Sequence, residues 1–512
     1  MIKDYKFFNI PIIVYIFFLA LFLRLYNLGV PSIWVDEAFS IWIAEAGIHT
    51  LLTNISMDAH PPLYFILLHY WIKLFGNSEF AARLLSVIFG LAAIIVTYKF
   101  CNEIFNDKKY GLLAAFLLSI SSYSIIFTDT DVKMYSQLMF LTMLSTYVLY
   151  KALKEESFYL WALYVIVSIL NIYTHYFSFF VILSHIIYIL VIKPDKDGIK
   201  RVLYPAFIFL ISFIFWSNSF FKQIFVFRRG EHLGKAGVIN FMGLVTDLFS
   251  TIYFKMPAWI VYIFTALILI LLVKGILVCL RHKNSKIIPL IFGVVVFTPF
   301  LISFISGKHI FQSRYFSLIH PLFLILLACG ILSFRNKFIK CLVILIFILF
   351  NLSSYYLYAT DSRYWKQDWR TVAKYVEEKS KSGDLVLMQI SYNIFPFNYY
   401  YKNNLLRFGL KATSEAGSNF SYALNYTEEY LKKGGVRQDG IDVFSEKQLN
   451  LITYGDKRVI YILNMEKYYD PQRKVLKWFN KNFDFIEGAK VESFNYGQSD
   501  ISIGIFSKKS KK

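Results

Sequence analysis

Leu28–Gly47 reads LGVPSIWVDEAFSIWIAEAG, and Met57–Arg83 reads MDAHPPLYFILLHYWIKLFGNSEFAAR. Whether the run Pro62–Phe75 crosses a membrane or lies flat decides the fold around it. The run has about 14 residues, short of the ~20 a spanning helix needs, and it carries His69 and Lys73. A short amphipathic run of that kind suits the plane of the interface. Ser32–Ala46 is a second amphipathic candidate, and it sets Asp36 and Glu37 side by side among aromatic residues.

The whole chain is 512 residues long and 57% hydrophobic, where soluble domains are roughly 45–50% apolar. Several runs exceed ~18 apolar residues, enough to cross the hydrocarbon of a bilayer. Barrel strands alternate over about 10 residues, so the expected class is a mainly α, polytopic helical membrane bundle. The net charge of +20 does not point to nucleic acid, because much of it lies in short loops between apolar runs. Cys101, Cys279, Cys329 and Cys341 lie in or beside apolar runs and form no CxxC pair, which argues against disulfide or metal roles.

The spans are expected near Phe7–Tyr26, Phe80–Phe100, Gly111–Phe127, Met134–Tyr150, Phe158–Tyr173, Tyr176–Ile192, Val202–Phe220 and Pro257–Leu280, then a pair turning at Gly307–Arg314, and lastly Cys341–Tyr358. With about eleven spans and Pro62–Phe75 lying flat, Lys3 and Lys6 share one side with every later basic loop. Those loops carry Lys108, Lys109, Lys151, Lys154, Lys193, Lys200, Arg281, Lys286, Arg335 and Lys340. Basic loops mark the cytoplasmic side. A spanning Pro62–Phe75 would move every later loop across, so the interfacial reading is preferred. The expected placement is therefore a multi-pass plasma-membrane protein with a cytoplasmic N-terminus. The first run has no small-residue cleavage pattern and reads as a retained span.

Residues 1–358 are expected to form the transmembrane domain and residues 359–512 an extracytoplasmic α/β domain. In the latter, DLVLMQI and RVIYILN read as strands, while WKQDWRTVAKYVEEKS and PQRKVLKWFNKNF read as helices. No glycine-rich phosphate loop follows a strand.

Ionisable groups recur on the outer side at span ends. Asp36, Glu37, His60 and Arg83 come first; Asp129, Asp131 and Lys133 follow, then His175, Arg228 with Arg229, and Lys308 with Arg314. A carboxylate there can serve as general base toward an acceptor, and Arg or Lys can hold a phosphate. The combination suggests group transfer from a lipid phosphate without identifying the group. Each residue also has a plainer role open to it. Asp-Glu can be solvated loop charge, Asp-x-Asp is common in loops, and Arg83 or Arg314 can be a snorkelling anchor.

WVDEAFSIWIA followed by DAHPPLYFILLHYWIKLFGNSEFAARLLSVIFG resembles the first outer loop of the protein O-mannosyltransferases and the bacterial aminoarabinose transferases of lipid A. These are C-type glycosyltransferases that use lipid-phosphate sugars. VKMYSQL resembles their second outer loop, and THY, RYF with HP, and the DWR helix with GDLVL recur in bacterial members. The resemblance implies Asp36 as base, Glu37 beside it, Asp131 at the second acidic position and Arg83 opening the second span. Tyr135 falls on the family's Tyr. Lys133 stands where Arg is usual, keeping charge without the bidentate fork. The lumenal sugar-binding repeats of the mannosyltransferases are missing, which counts against mannose and protein acceptors.

The expected function is an inverting transferase taking a polyprenyl-phosphate sugar donor to an extracytoplasmic glycan, lipid or protein. Catalysis falls to Asp36, Glu37 and Asp131. Binding falls to His60, Arg83, Lys133, Tyr135, His175, Arg228, Lys308 and Arg314. No cofactor is expected, although members differ in needing a divalent metal, and no metal-ligand spacing is present. The alternatives are a lipid-linked-sugar flippase or other transporter, and a non-catalytic membrane subunit. A cysteine introduced near Gly440 should react with an impermeant thiol reagent in intact cells. Protection until permeabilisation would overturn the topology.

Overall fold

The computed structural model describes residues 6–7, 10–192, 194, 196–226, 237–251, 258–307, 310–411, 441–442, 446, 449–450, 453, 455, 458–464, 472–492 and 500–509. They divide into two units. The first draws on Met1–Leu28, Gly47–Phe225 and Arg229–Leu357, the second on Gly29–Ala46, Val226–Arg228 and Tyr358–Lys512.

The first unit is helical. After the two-residue strands β1 (Lys6–Phe7) and β2 (Ile10–Pro11) comes α1 (Ile12–Leu25). The element α2 (Val35–Glu45) belongs to the second unit. Then follow α3 (Ile48–Met57), α4 (Leu63–Phe75), α5 (Glu79–Phe105), α6 (Lys108–Ile120) and the short α7 (Ser122–Ser124), which runs into a π-helical turn, Ile125–Asp129. Next are α8 (Tyr135–Glu155), α9 (Phe158–Ile172), α10 (Ser178–Ile192), α11 (Lys196–Val226) and α12 (Val238–Phe249). The last are α13 (Ala258–Arg281), α14 (Ile287–Ser306), α15 (His320–Leu332) and α16 (Lys337–Thr360).

Six of the described helices are long and apolar enough to cross a membrane, or seven if the pair α6 and Ser122–Asp129, bent by 52°, is one span. The sequence led to an expectation of about eleven, and length and composition among the described residues mark these six or seven, with shorter apolar helices beside them. The helices α1, α9 and α10 are apolar but only 14, 15 and 15 residues long. The 21-residue α8 is diluted by polar groups that it turns inward. Gln137 donates to Thr174 (2.9 Å), Asn171 to Thr142 (3.0 Å), and Thr146 meets His185 (3.2 Å). The expected flat run appears as α4, 13 residues long. Two helices, α3 and α12, were not expected.

The run Ser313–Leu332 is 89% buried, and α15 has apolar residues on every side, as a helix enclosed by others must. Glycine sets its closest approach. A Cβ on Gly330 would strike the Leu271 carbonyl of α13, and one on Gly275 would strike the Leu326 carbonyl of α15. Small residues at such crossings let backbones meet and gain dispersion contact where no hydrophobic drive separates helices from lipid.

The second unit holds a six-stranded sheet of order β5-β4-β3-β6-β8-β7. Its strands are β3 (Leu385–Met388), β4 (Leu406–Lys411), β5 (Ile441–Asp442), β6 (Arg458–Leu463), β7 (Phe483–Val491) and β8 (Ile501–Lys508). The first four in spatial order run parallel, and β8 and β7 are antiparallel. All four residues of β3 are buried, the continuous apolar run of a parallel strand covered on both faces. One covering helix is α19 (Lys474–Asn482), which buries Val475, Trp478 and Phe479 against Leu385, Leu387 and Tyr461. The unit also holds α17 (Trp369–Lys379) and α18 (Ile394–Tyr400). Both expected strands and both expected helices are present.

Gly330→Val should lower the thermal midpoint of the detergent-solubilised protein by an amount matching about 1–3 kcal/mol or more of overpacking. Gly293→Ala should not, because the space around Gly293 is open. Equal midpoints for parent and Gly330→Val would refute the close crossing.

Candidate functional site

The two neighbouring carboxylates of the first loop have different surroundings. Both lie in the first turn of α2, where acidic groups favour the helix N-terminus. Glu37 is buried, and its Oε2 accepts the Trp34 N–H at 3.3 Å. This is the returning half of a capping box; Trp34 has no side-chain oxygen to supply the other half. Asp36 is half-buried, one residue nearer the entry of the helix. Geometry thus commits Glu37 to holding the turn, while Asp36 keeps partial access to solvent.

Most other expected site residues gather in the first unit. Arg83, in the first turns of α5, is buried and donates through Nη1 to the Leu28 carbonyl at 2.9 Å. Three residues further on, Ser86 Oγ donates to the Asp131 carbonyl at 2.7 Å and to that of Lys133 at 3.4 Å. The Lys133 N–H closes a tight turn on the Asp131 carbonyl at 2.8 Å. The Asp131–Lys133 turn is thereby strapped to the face of α5 that carries Arg83. Asp131 and Lys133 are both buried, where charge is costly without compensation.

Tyr135 opens α8 two residues later, and its ring lies 6.4 Å from that of His175. The His175 ring is also 5.6 Å from His60 and 5.2 Å from Tyr315, whose ring sits 5.5 Å from the Arg314 guanidinium. His60 Nδ1 meets Asp58 Oδ2 at 2.9 Å. His175 Nδ1 accepts the Phe177 N–H at 3.1 Å. Gln223 on α11 steadies the His60 turn, donating to the carbonyls of Ile55 (2.7 Å) and His60 (3.4 Å). Arg228 and Lys308 lie outside the described residues.

Asp129 does not sit with Asp131, although the outer-loop reading paired them. It is fully buried and bonded to Arg24 Nε at 2.8 Å, and it also accepts from Ser124 (2.8 Å) and Thr128 (2.7 Å). Gly90 leaves room for the carboxylate, which a Cβ there would strike. Arg24 spends its remaining donors on the carbonyls of Ala20, Leu118 and Ser119 and on Ser124 Oγ. The last carbonyls of α6, orphaned where the helix breaks, are thus satisfied by a guanidinium. Asn351 Oδ1 accepts the Ser122 N–H at 2.8 Å and so caps the segment that follows. Sequence reading missed Arg24, Asp58, Gln223 and Asn351. An Arg near the end of an apolar run was the one signal available.

Among the described residues no group of three His, Cys, Asp or Glu side chains converges as a metal site. Residues 59–220 match the dolichyl-phosphate-mannose-protein mannosyltransferase family. The apo crystal structure of ArnT from Cupriavidus metallidurans superposes with a TM-score of 0.59 at 12% identity, over 96% of this chain and 97% of that one. The cryo-EM structure of the arabinosyltransferase EmbB from Mycobacterium smegmatis shares 11% identity, over 64% of this chain and 32% of its own, with a TM-score of 0.38 that is too low to bear on the fold. No curated protein sequence matches the chain. The resemblance read from the sequence is borne out by these matches, and the chain is a multi-pass membrane protein with the fold of ArnT.

Removing one member of a buried ion pair costs about 3–5 kcal/mol. Asp129→Asn should therefore lower the thermal midpoint sharply. Arg24→Met with Asp129→Leu should recover part of the loss, and only part, because the α6 carbonyls lose their donor. An unchanged midpoint in Asp129→Asn would refute the structural assignment.

Proposed function

We propose that this protein is an integral membrane glycosyltransferase that moves a sugar from a polyprenyl-phosphate donor to an extracytoplasmic acceptor, with inversion. The observation that carries the reading is the Asp131–Lys133 turn strapped to α5 beside Arg83. It concentrates buried cationic and acidic groups within residues 59–220, the stretch that matches the mannosyltransferase family. Asp36 takes the proton of the acceptor hydroxyl or amine as that atom bonds to the anomeric carbon. The anomeric C–O bond breaks, and its electron pair leaves with the polyprenyl phosphate. Arg83 and Lys133 stabilise the charge that develops on the phosphate, joined by Arg314; Arg228 and Lys308, outside the described residues, are assigned the same role from the sequence alone. Arg83 offers a two-pronged fork and Lys133 a point charge. His60, His175 and Tyr135 line the donor's polar end.

In this reading residues 1–358 form the transferase domain, and residues 359–512 an extracytoplasmic domain on the same side as the site. The N-terminus is cytoplasmic. Lys or Arg in each loop of the opposite side supports that orientation.

A second reading, a lipid-linked-sugar transporter, draws on one feature, the break between α6 and Ser122–Asp129. Transporters of that design break helices at matched positions of two repeats. Only one such bent pair is found among the described residues.

Purified protein offered a panel of polyprenyl-phosphate hexoses and pentoses should release polyprenyl phosphate and form a glycosylated product. Asp36→Asn should reduce the rate by about 10²–10⁴, the usual worth of a positioned base, with donor binding retained. Glu37→Gln should cost much less, because the amide oxygen can still accept the Trp34 N–H. Near-normal transfer by Asp36→Asn would remove the base assignment. Donor movement across vesicles without any transfer would favour the transporter.

A further inference from the structure

The run WKQDWR, Trp365–Arg370, has no part in the chemistry above, yet in the second unit it meets the segment that leads into α2. Gln367 Oε1 accepts the Val35 N–H at 3.4 Å and the Trp369 indole N–H at 2.9 Å. The Arg370 N–H donates to Ser32 Oγ at 3.1 Å, and its Nη1 to the Val30 carbonyl at 2.8 Å. Tyr400, at the end of α18, accepts the Ile33 N–H on its hydroxyl at 2.7 Å. The Lys366 ammonium lies 4.4 Å from the centre of the Trp34 ring. Val30, Ser32, Ile33, Trp34 and Val35 are thus each touched by one of these residues.

The contacts have a common physical effect. The first N–H groups of a helix have no partner inside it, and Gln367 takes that of Val35, the residue before Asp36. Gln367 is itself immobilised, being buried and tied to Trp369, which is wholly enclosed. Asp368 anchors the same turn by capping α17 through the Thr371 N–H at 3.2 Å. Further along α2, Phe395 of α18 packs against Phe39 (5.4 Å) and Trp42 (4.9 Å). The helix that carries Asp36 is therefore gripped at its entry and along its flank.

We infer that Gln367, Arg370 and Tyr400 are positioning residues that hold Asp36 at its working angle, a role that rests on the reading of Asp36 as base. Their influence passes through backbone atoms of residues 30–35, so they touch neither substrate nor reacting atoms. A misplacement of about 1 Å in a reacting group can cost ~10²-fold in rate, so small losses of grip should register in kcat.

The test uses the full chain in detergent with the polyprenyl-phosphate sugar panel as donor. Tyr400→Phe and Gln367→Leu should each lower kcat by about 10–10²-fold and leave donor KM within ~2-fold. Gln367→Glu, which keeps the acceptor oxygen, should restore most of the rate. In an Asp36→Asn background neither variant should lower the residual rate further, because residues that act as one unit are non-additive. Amide exchange over residues 30–36 should quicken in Tyr400→Phe and Gln367→Leu, while that of α17 and β3 stays as in the parent. Parent-like kcat in both variants, losses that multiply with that of Asp36→Asn, or unchanged exchange over residues 30–36 would each overturn the proposal. A parent-like rate in Asp36→Asn alone would overturn the base assignment and the positioning role with it, while quickened exchange in the other variants would still register the grip itself.

Discussion

A guanidinium withdrawn from water must be matched donor by donor, and the first unit depends on how Arg24 is matched. Its Nε pairs with Asp129, and its remaining nitrogens satisfy carbonyls at the end of α6. An unpaired charge in that setting would be untenable. The same contacts make it feasible for the chain to stop being helical at Ser121 and resume, bent, as Ser122–Asp129. Irregular backbone among apolar helices is tolerated only where protein satisfies its polar groups. Asp131 and Lys133 follow directly, so the ion pair sets where that turn emerges. Ser86 then straps the turn to α5.

Carboxylates adjacent in sequence prove unequal in the fold. Glu37 spends an oxygen on the Trp34 N–H within its own helix turn, and Asp36 keeps partial exposure. Asp129 is consumed by Arg24, Ser124 and Thr128, while Asp131 is held by its backbone through Ser86. In each pair one acid has a defined structural bond, Glu37 to its own helix turn and Asp129 to Arg24. For Asp129 sequence adjacency could not show this, since its partner Arg24 lies about 100 residues away along the chain.

The α/β unit follows from ordinary strand and helix chemistry, with one addition. Its strands β3 and β6 are unbroken apolar runs, and α17 and α19 bury one stripe each. The addition is Gly29–Ala46, a segment more than 300 residues earlier that clusters with this unit. It is seated by Gln367, Arg370 and Tyr400.

Sequence alone determined what depends on local composition and period. That includes the helical membrane class, the shortness of α4, the strands DLVLMQI and RVIYILN, and the charged stretches around Asp36, Arg83 and Asp131. Apolar runs and a period of 3.6 or 2 are written into neighbouring residues, and so are the resemblances carried by WVDEAF and VKMYSQL. Tertiary structure decided what depends on distant partners. It broke the expected third span at Ser121, because Arg24 and Asn351 supply the bonds the break exposes. It enclosed Asp129, gathered His60, Tyr135, His175 and Arg314 around shared rings, and placed α2 with the C-terminal strands. Hydrogen bonds and ion pairs between segments hundreds of residues apart have no signature in either partner's neighbourhood, and so they became legible only once the chain had folded.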